Sequence, residues 1–444
     1  MTSSGPNTSP LSRRPAAGAL SATTSEIATA ASPPAATQKD LLRIRLPESP
    51  ASRAGAYYSE VGRRARTIAG VLILSLAALA SGPGTANASP LRGNGMWIWY
   101  VSQSSGGKLS RIARKAHTHH IDTLYVKSSD GTSAWAQFSR NLVQYFHSRG
   151  LRVCAWQFVY GSDPGGEARR GAAAVHKGAD CLVIDAESSY EGRYAAADRY
   201  VDRLHRLIPH TFPLSLASFP YVDYHPSFPY SVFMGVRAAQ YDQPQLYWRT
   251  IGTSVAEGFR HTWRYNRIYG RRIFPLGQTY QSPPRRQIRR FRRFANAYHF
   301  GGVSWWDWQE TSKREWRTLG HPMRRGIHGF DRPNGAFPEL SRGARGDIVV
   351  SAQERLRRAH LHLPVSGVFR ASTRRAVERF QRRHGLAITG AVNRPTWRGL
   401  LRYEPVSIDW SRRAARSTKR GTASAPRSAT LPTVRREIPS PSSR

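Results

Sequence analysis

Cysteine is nearly absent: Cys154 and Cys181 are the only two in 444 residues. So small a number excludes a disulfide-dense scaffold and a cysteine-based zinc cluster. Lysine is almost as scarce, 7 residues against 60 arginines, and 28 acids face 67 basic residues for a net charge of +39. A chain this short of negative charge calls for an acidic partner such as nucleic acid, anionic lipid or an anionic wall polymer. Arginine dominance also follows from a GC-rich coding bias, so it does not by itself single out nucleic acid. Nowhere is there an apolar run of the ~20 residues that span a bilayer. No His, Cys, Asp or Glu grouping has metal-ligand spacing, and no cofactor is expected. What is present is apolar and aromatic: 40% hydrophobic residues, 12 Trp and 19 Tyr, enough to bury a sizeable core and to exclude a wholly disordered chain.

Residues 1–60 are rich in Ala, Ser, Thr and Pro and show no periodicity. Arg63-Arg64-Ala65-Arg66, the uncharged 14-residue run Thr67–Ala80 and Ala86-Asn87-Ala88 then supply the three parts of a secretory signal over 61–88. Val61 begins a well-proportioned signal, so translation is expected to start there and 1–60 not to be made. The mature chain from Ser89 keeps 58 basic and 24 acidic residues, +34. Outside the cell the polyanion is envelope, namely peptidoglycan carboxylates, wall phosphodiester polymers or lipid headgroups, and nucleic acid is not the expected partner.

From 94 to 320 short β-rich runs alternate with helical stretches. The expected strands are Met96–Val101, Thr123–Lys127, Arg152–Val159, Cys181–Asp185, Leu214–Phe219, Gln245–Tyr247, Ile273–Gln278 and Gly302–Trp308. Helices are expected over Leu109–His120, Ala134–Arg149, Gly166–Lys177, Arg193–Leu207, Ser254–Tyr269 and Pro284–Tyr298. Eight such units predict an α/β fold of the (β/α)8 barrel type, with a doubly wound sheet as the alternative. Chemistry in a barrel belongs at the C-terminal strand ends, and those ends are polar and aromatic here. Trp and Tyr rings stack on sugar C–H faces while carboxylates and amides bond hydroxyls. Packing at the barrel mouth is the plainer use of the same rings.

The fourth strand ends Val183-Ile184-Asp185-Ala186-Glu187. Residues two apart share a face, so Asp185 and Glu187 both point into the mouth, roughly 6–7 Å apart at Cα. Carboxylates this close cannot both ionise freely; one keeps a proton and the other stays charged. That division of labour is what glycoside hydrolysis requires. Asp307 on the eighth strand is the next acid within reach. Tyr221, Gln245, Gln278, Trp305 and Trp306 are candidates for holding substrate.

The VIDAE ending at 183–187, the run LSLASF at 214–219 and the aromatic eighth strand resemble the barrel glycosidases of amino-sugar polymers, both muramidase-type lysozymes and chitinase-like hydrolases. The resemblance implies Glu187 as proton donor with Asp185 as its partner. Where catalysis uses the substrate's N-acetyl group, it implies Asp185 as the group that orients it. The first strand, MWIWYVS, lacks the acid that muramidases carry there.

A Pro/Gly-rich linker over 321–338 leads to a compact segment, 339–403. Its pattern is Leu340, Gly343, Gly346, Val349, Gln353, Leu356, Gly367, Phe369, Thr373, Val377, Phe380, Gln381, Leu386, Gly390, Thr396 and Trp397. Leu356, Val377, Phe380, Leu386 and Trp397 recur at helical spacing and would bury a small core. This segment resembles the three-helix peptidoglycan-binding domain over essentially its whole length, which implies an all-α module that binds wall glycan. That family often has Asp before the two glycines at 367 and 390; here Ser366 and Thr389 stand there. The Ser-, Pro- and Arg-rich tail 411–444 is expected to be disordered.

Cys154 and Cys181 fall on neighbouring strands of a barrel. Export permits a disulfide, but Cβ atoms on adjacent parallel strands usually lie farther apart than the ~3.8 Å a bridge prefers, which favours two buried thiols. The whole reads as a secreted, cell-wall-associated glycoside hydrolase tethered to peptidoglycan. The alternative is a non-catalytic wall-binding protein with a degenerate barrel.

Overall fold

The computed structural model describes residues 89–321, 327, 330 and 337–421. The expected low-complexity segment 1–60 and the signal 61–88 lie outside the described residues, as does most of the linker.

Eight parallel positions form a ring. The strands are β1 (Gly93–Ile98), β2 (Thr123–Asp130), β3 (Arg152–Val159), β4 (Cys181–Ala186), β5 (Leu214–Ser218) and β6 (Tyr241–Pro244). β7 comes in two pieces, Arg272–Ile273 and Leu276–Gln278, and β8 is Gly302–Trp306. Each pairs with the next, and β8 pairs with β1 through Gly95↔Ser304. The first piece of β7 pairs with β6, and a parallel bridge, Gln245↔Leu276, carries the pairing on to its second piece. The ring is thereby closed, and the parallel-stranded barrel expected from the sequence is present. Helices α1 (Leu109–Thr118), α2 (Arg140–His147), α3 (Pro164–His176), α4 (Tyr194–Leu207), α5 (Tyr230–Phe233), α6 (Trp248–Ile251), α7 (Val255–Asn266), α8 (Arg285–Ala297) and α9 (Lys313–Leu319) connect the strands or follow them.

Strand alternation sorts the residues into two cores. Trp97, Tyr125, Trp156, Val183, Ala217, Leu276 and Trp306 fill the barrel interior. Met96, Leu124, Val153, Leu182, Leu216, Val303 and Trp305 face the helices, meeting Ile112, Phe146, Tyr200, Phe259 and Phe291. Gly95 points inward where a Cβ would lie 2.4 Å from the Tyr125 ring, so the large interior aromatics depend on that missing side chain.

Four expectations are corrected. The sixth strand is Tyr241–Pro244, not Gln245–Tyr247. Asp242, Gln243 and Pro244 look like loop residues, but Asp242 is buried against Asn266 Nδ2 at 2.9 Å and Gln243 lines the interior. The second helix starts at Arg140 rather than Ala134, because Ser139 Oγ caps it by accepting from Leu142 N and Ser133–Ala134 pairs back onto β2. Cys154 and Cys181 are joined in a disulfide, not held as thiols: they are register partners on β3 and β4, and their Cα atoms approach to 4.6 Å. The tail begins as a helix, α13 (Trp410–Gly421), whose Trp410 packs on Tyr194 at 4.6 Å and whose Ser411 N donates to Asp198 Oδ2 at 3.0 Å. The segment 422–444 lies outside the described residues.

The C-terminal module holds α10 (Asp347–Arg358), α11 (Ala371–Arg383) and α12 (Arg394–Leu400) around Val349, Leu356, Val377, Phe380 and Trp397. It is built twice on one device. Gln353 Oε1 accepts from Ser366 N and Gly367 N at 2.8 and 3.0 Å. Gln381 Oε1 accepts from Thr389 N and Gly390 N, each at 3.0 Å. Both amide nitrogens then donate to the threonine six residues past the glycine, Thr373 and Thr396. Ser366 Oγ and Thr389 Oγ1 accept from the backbone N–H two residues on, the turn an aspartate would otherwise make. The module is not a loose tether: every residue from Asp347 to Leu356 is buried, one side of α10 facing α11 and α12 and the other facing the barrel.

Candidate active site

The two carboxylates at the end of β4 meet on one amide. Gln245 Nε2 donates to Asp185 Oδ1 at 2.9 Å and to Glu187 Oε1 at 3.0 Å. Strand alternation delivers this geometry: Val183, Asp185 and Glu187 point inward from β4, while Gln243 and Gln245 do so from β6. Below them lies a floor of indoles, Trp97, Trp156 and Trp306, with centroids 5.4–5.5 Å apart, flanked by Trp99 at 5.7 Å from Trp306.

An aromatic floor strips water from the carboxylates, and the electrostatics follow. Burial pushes the Asp185 carboxyl well above the usual range, and the charge of Glu187 adds to the rise, while Lys127 acts against it. Burial also raises Glu187; the Gln245 bond and His225 oppose the shift. The pair therefore retains a proton at a pH where an isolated carboxylic acid has lost it. Asp307, 2% exposed, is raised by burial to about 7, with its Oδ1 accepting from Glu310 N at 3.1 Å.

The other expected residues divide. Gln245 is at the centre, but as the bridge between the carboxylates. Trp306 is in the floor. Trp305, its neighbour, necessarily faces the other way: it is fully buried against Phe291 and donates to Asn94 Oδ1 at 2.7 Å, so it is not at the mouth. Gln278 is fully buried and occupied in accepting from Arg249 N at 2.7 Å, which anchors the start of α6. Tyr221 belongs to the outer core, stacked on His261 at 4.0 Å.

Of three further groups at the mouth, Lys127 is readable in the sequence only as part of a polar strand end, and Tyr247 and His225 escaped sequence reasoning. Tyr247 lies two residues past Gln245; burial, then Tyr280, Asp185, Glu187 and Asp307, hold its phenol protonated. Lys127 on β2 is 2% exposed, caged by Trp99, Trp135 and Trp156 at 4.5–4.9 Å and paired to Asp130. His225 stacks flat on Phe219 at 3.5 Å, with Nδ1 2.7 Å from Glu191 Oε1. A lone lysine in a buried strand was the readable signal for the second. Tyr247 continues the inward alternation of Gln243 and Gln245.

Among the described residues no cluster of His, Cys, Asp and Glu could hold a metal ion. No helix among them is long and apolar enough to cross a membrane.

Residues 345–400 match the family described as "Putative peptidoglycan binding domain". The C-terminal module is of this type. No curated protein matches the sequence. Among solved structures the chain is similar to the Bacillus cereus spore cortex-lytic enzyme SleL, at 10% identity and a TM-score of 0.40 over 51% of this chain and 73% of that one. It is similar to the catalytic domain of a hyperthermophilic chitinase from Pyrococcus furiosus, at 14% identity and 0.40 over 53% and 95%. It is also similar to an endo-beta-1,4-mannanase from Thermotoga petrophila, at 10% identity and 0.39 over 50% and 69%.

Proposed function

We propose that this protein is an exported, cell-wall-associated glycoside hydrolase that cuts peptidoglycan or a related amino-sugar glycan. The observation that carries the reading is the Asp185–Gln245–Glu187 bridge at the C-terminal mouth of the barrel, over an indole floor. A pair of buried carboxylates sharing one amide is expensive to maintain unless its retained proton is used. In the same chain, a peptidoglycan-binding module supplies the substrate class.

Glu187, the more accessible of the two, acts as proton donor to the leaving glycosidic oxygen. Asp185, deeper and beside Lys127, holds the shared proton in the free site and ionises as that proton passes to Glu187; its charge then steadies positive charge developing on the sugar, or the residue orients the N-acetyl group. Asp307 and Tyr247 bound the far side of the mouth, and Trp306 offers an indole to a sugar ring. Where the substrate's own N-acetyl group is the internal nucleophile, two successive displacements at the anomeric carbon give net retention. The positive charge of the mature chain, +34, holds it on anionic wall polymers.

Reducing ends released from purified peptidoglycan, with proton NMR of the first-formed anomer, test the reading. The second reading, a non-catalytic wall-binding protein, draws on β1: its inward positions are Gly95, Trp97 and Trp99, without an acid. An absence of cleavage across pH 4–8 would decide for it.

A further inference from the structure

The segment that follows β5 is gripped at two points. Near its start, His225 lies on Phe219, and Glu191 accepts from Ser227 Oγ at 3.0 Å as well as contacting His225. This is the side that faces Glu187: Ala217 is the register partner of Asp185, so Phe219, two residues on, lies at the level of Glu187 on the neighbouring strand and carries His225 with it. Farther along, the grip comes from the other domain. Asp347 of the wall-binding module is fully buried and takes four hydrogen bonds, all from the barrel. Oδ1 accepts from Ser231 N and Tyr269 OH, each at 2.8 Å. Oδ2 accepts from Ser231 Oγ at 2.7 Å and Tyr194 OH at 2.8 Å. Asp347 N donates to Pro226 O at 2.8 Å, one residue past His225. Gly346 makes that approach possible: its φ is +104°, and a Cβ there would fall 2.7 Å from Pro226 Cβ and 2.9 Å from the Pro226 carbonyl oxygen.

A surface anchor needs none of this. A carboxylate taken wholly out of water is costly unless its acceptor sites are filled, and here three separate barrel elements fill them. The bonded residues Pro226 and Ser231 belong to the same segment as His225, so a displacement of the module moves the group beside the proposed proton donor.

We propose that Asp347 is a positioning residue for the barrel's site: through it the wall-binding module fixes the 219–233 segment and the His225–Glu191 pair beside Glu187. The module is then part of the catalytic face as well as a wall anchor. The catalytic half of this inference rests on the hydrolase reading; the positional half does not.

The test is Asp347→Ala in the full chain, assayed on a soluble chito-oligosaccharide, which needs no wall binding. A 1 Å misplacement can cost two orders of magnitude in rate, so kcat should fall roughly 10- to 100-fold with KM little changed. Asp185, Gln245, Tyr247 and His225 are the groups that face Glu187. Withdrawing His225 alone removes one influence that lowers its pKa, so the alkaline limb of the pH–rate profile should move to higher pH. In parallel, amide hydrogen exchange should quicken in 222–233 and stay unchanged in β4. If exchange and pH profile both match wild type, the proposal is overturned. If wild type cleaves no glycan, the hydrolase reading fails and exchange alone decides the positional half. Should Asp347→Ala not fold, Tyr269→Phe removes one donor and should shift exchange in the same direction by less; no shift there overturns the proposal.

Discussion

Asp185 and Glu187 are joined through a single amide nitrogen, that of Gln245, at 2.9 and 3.0 Å. One N–H2 group so shared favours the charged form of each carboxylate, and its removal has a defined sign. Gln245→Met should raise both pKa values, moving both limbs of the pH–rate profile to higher pH while the fold persists. A rate loss without any movement of either limb would mean that Gln245 only holds substrate.

The proposed proton donor, Glu187, is the second test. Glu187→Gln keeps shape and hydrogen-bonding reach but removes the titrating proton, and a general acid contributes ~10²–10⁴-fold. Turnover should fall by that much while the protein still sediments with peptidoglycan. Asp185→Asn should fall too, with a displaced pH optimum, because it removes the partner with which Glu187 shares the retained proton.

Stability should decline as the pH rises through neutrality. Burial lifts Asp242 and Asp307 to about 7 and Asp347 to about 6. Acids whose folded pKa is raised bind more protons in the folded than in the unfolded state between ~4 and ~7, so their stabilising contribution, complete below ~4, is lost as the pH climbs through the folded values. Each proton difference gives a slope of about 1.4 kcal/mol per pH unit. Urea midpoints at pH 5 and 8 measure it, and Asp242→Asn should flatten the dependence. A midpoint that rises with pH would contradict the assignment.

The covalent link between β3 and β4 closes a stretch with a sequence separation of 27. On the chain-entropy account a loop of this size is worth about 3–4 kcal/mol. Melting in the presence of a reductant under denaturing preincubation should begin at a lower temperature, and a linked peptide containing both cysteines should appear in a non-reduced digest. Free thiols in the native protein would refute it.

In the module, Gln353→Ala would orphan the N–H groups of Ser366 and Gly367 and lose its bond to Thr373. The expected destabilisation is roughly 2–4 kcal/mol. Gln381→Ala should match it if the two turns are equivalent, as their bonding indicates.

Much of the barrel was legible because a strand buried on both faces reads as a short, nearly continuous apolar run. The sixth strand was not, since Asp242, Gln243 and Pro244 are polar or strand-breaking and only tertiary partners make their burial affordable. Asp185 and Glu187 could be placed from parity alone. Parity also forbids Trp305 and Trp306 from sharing a face, so only one of them could line the mouth. Asp347 reads in the sequence as an ordinary acid in the first turn of a helix, favourable to its dipole. Nothing local betrays that its four donors come from residues 194, 231 and 269. The disulfide was missed for a related reason: general spacing between parallel strands does not reveal a 4.6 Å approach at one register pair.

The measurement that bears most directly on the whole is digestion of purified peptidoglycan by the 89–421 chain beside its Glu187→Gln variant. Soluble fragments with new reducing ends should accumulate with the first protein and fall by ~10²-fold or more with the second, both remaining wall-bound. Equal release by the two proteins would place the chemistry elsewhere in the barrel, and no release by either would leave a wall-binding protein in place of a hydrolase.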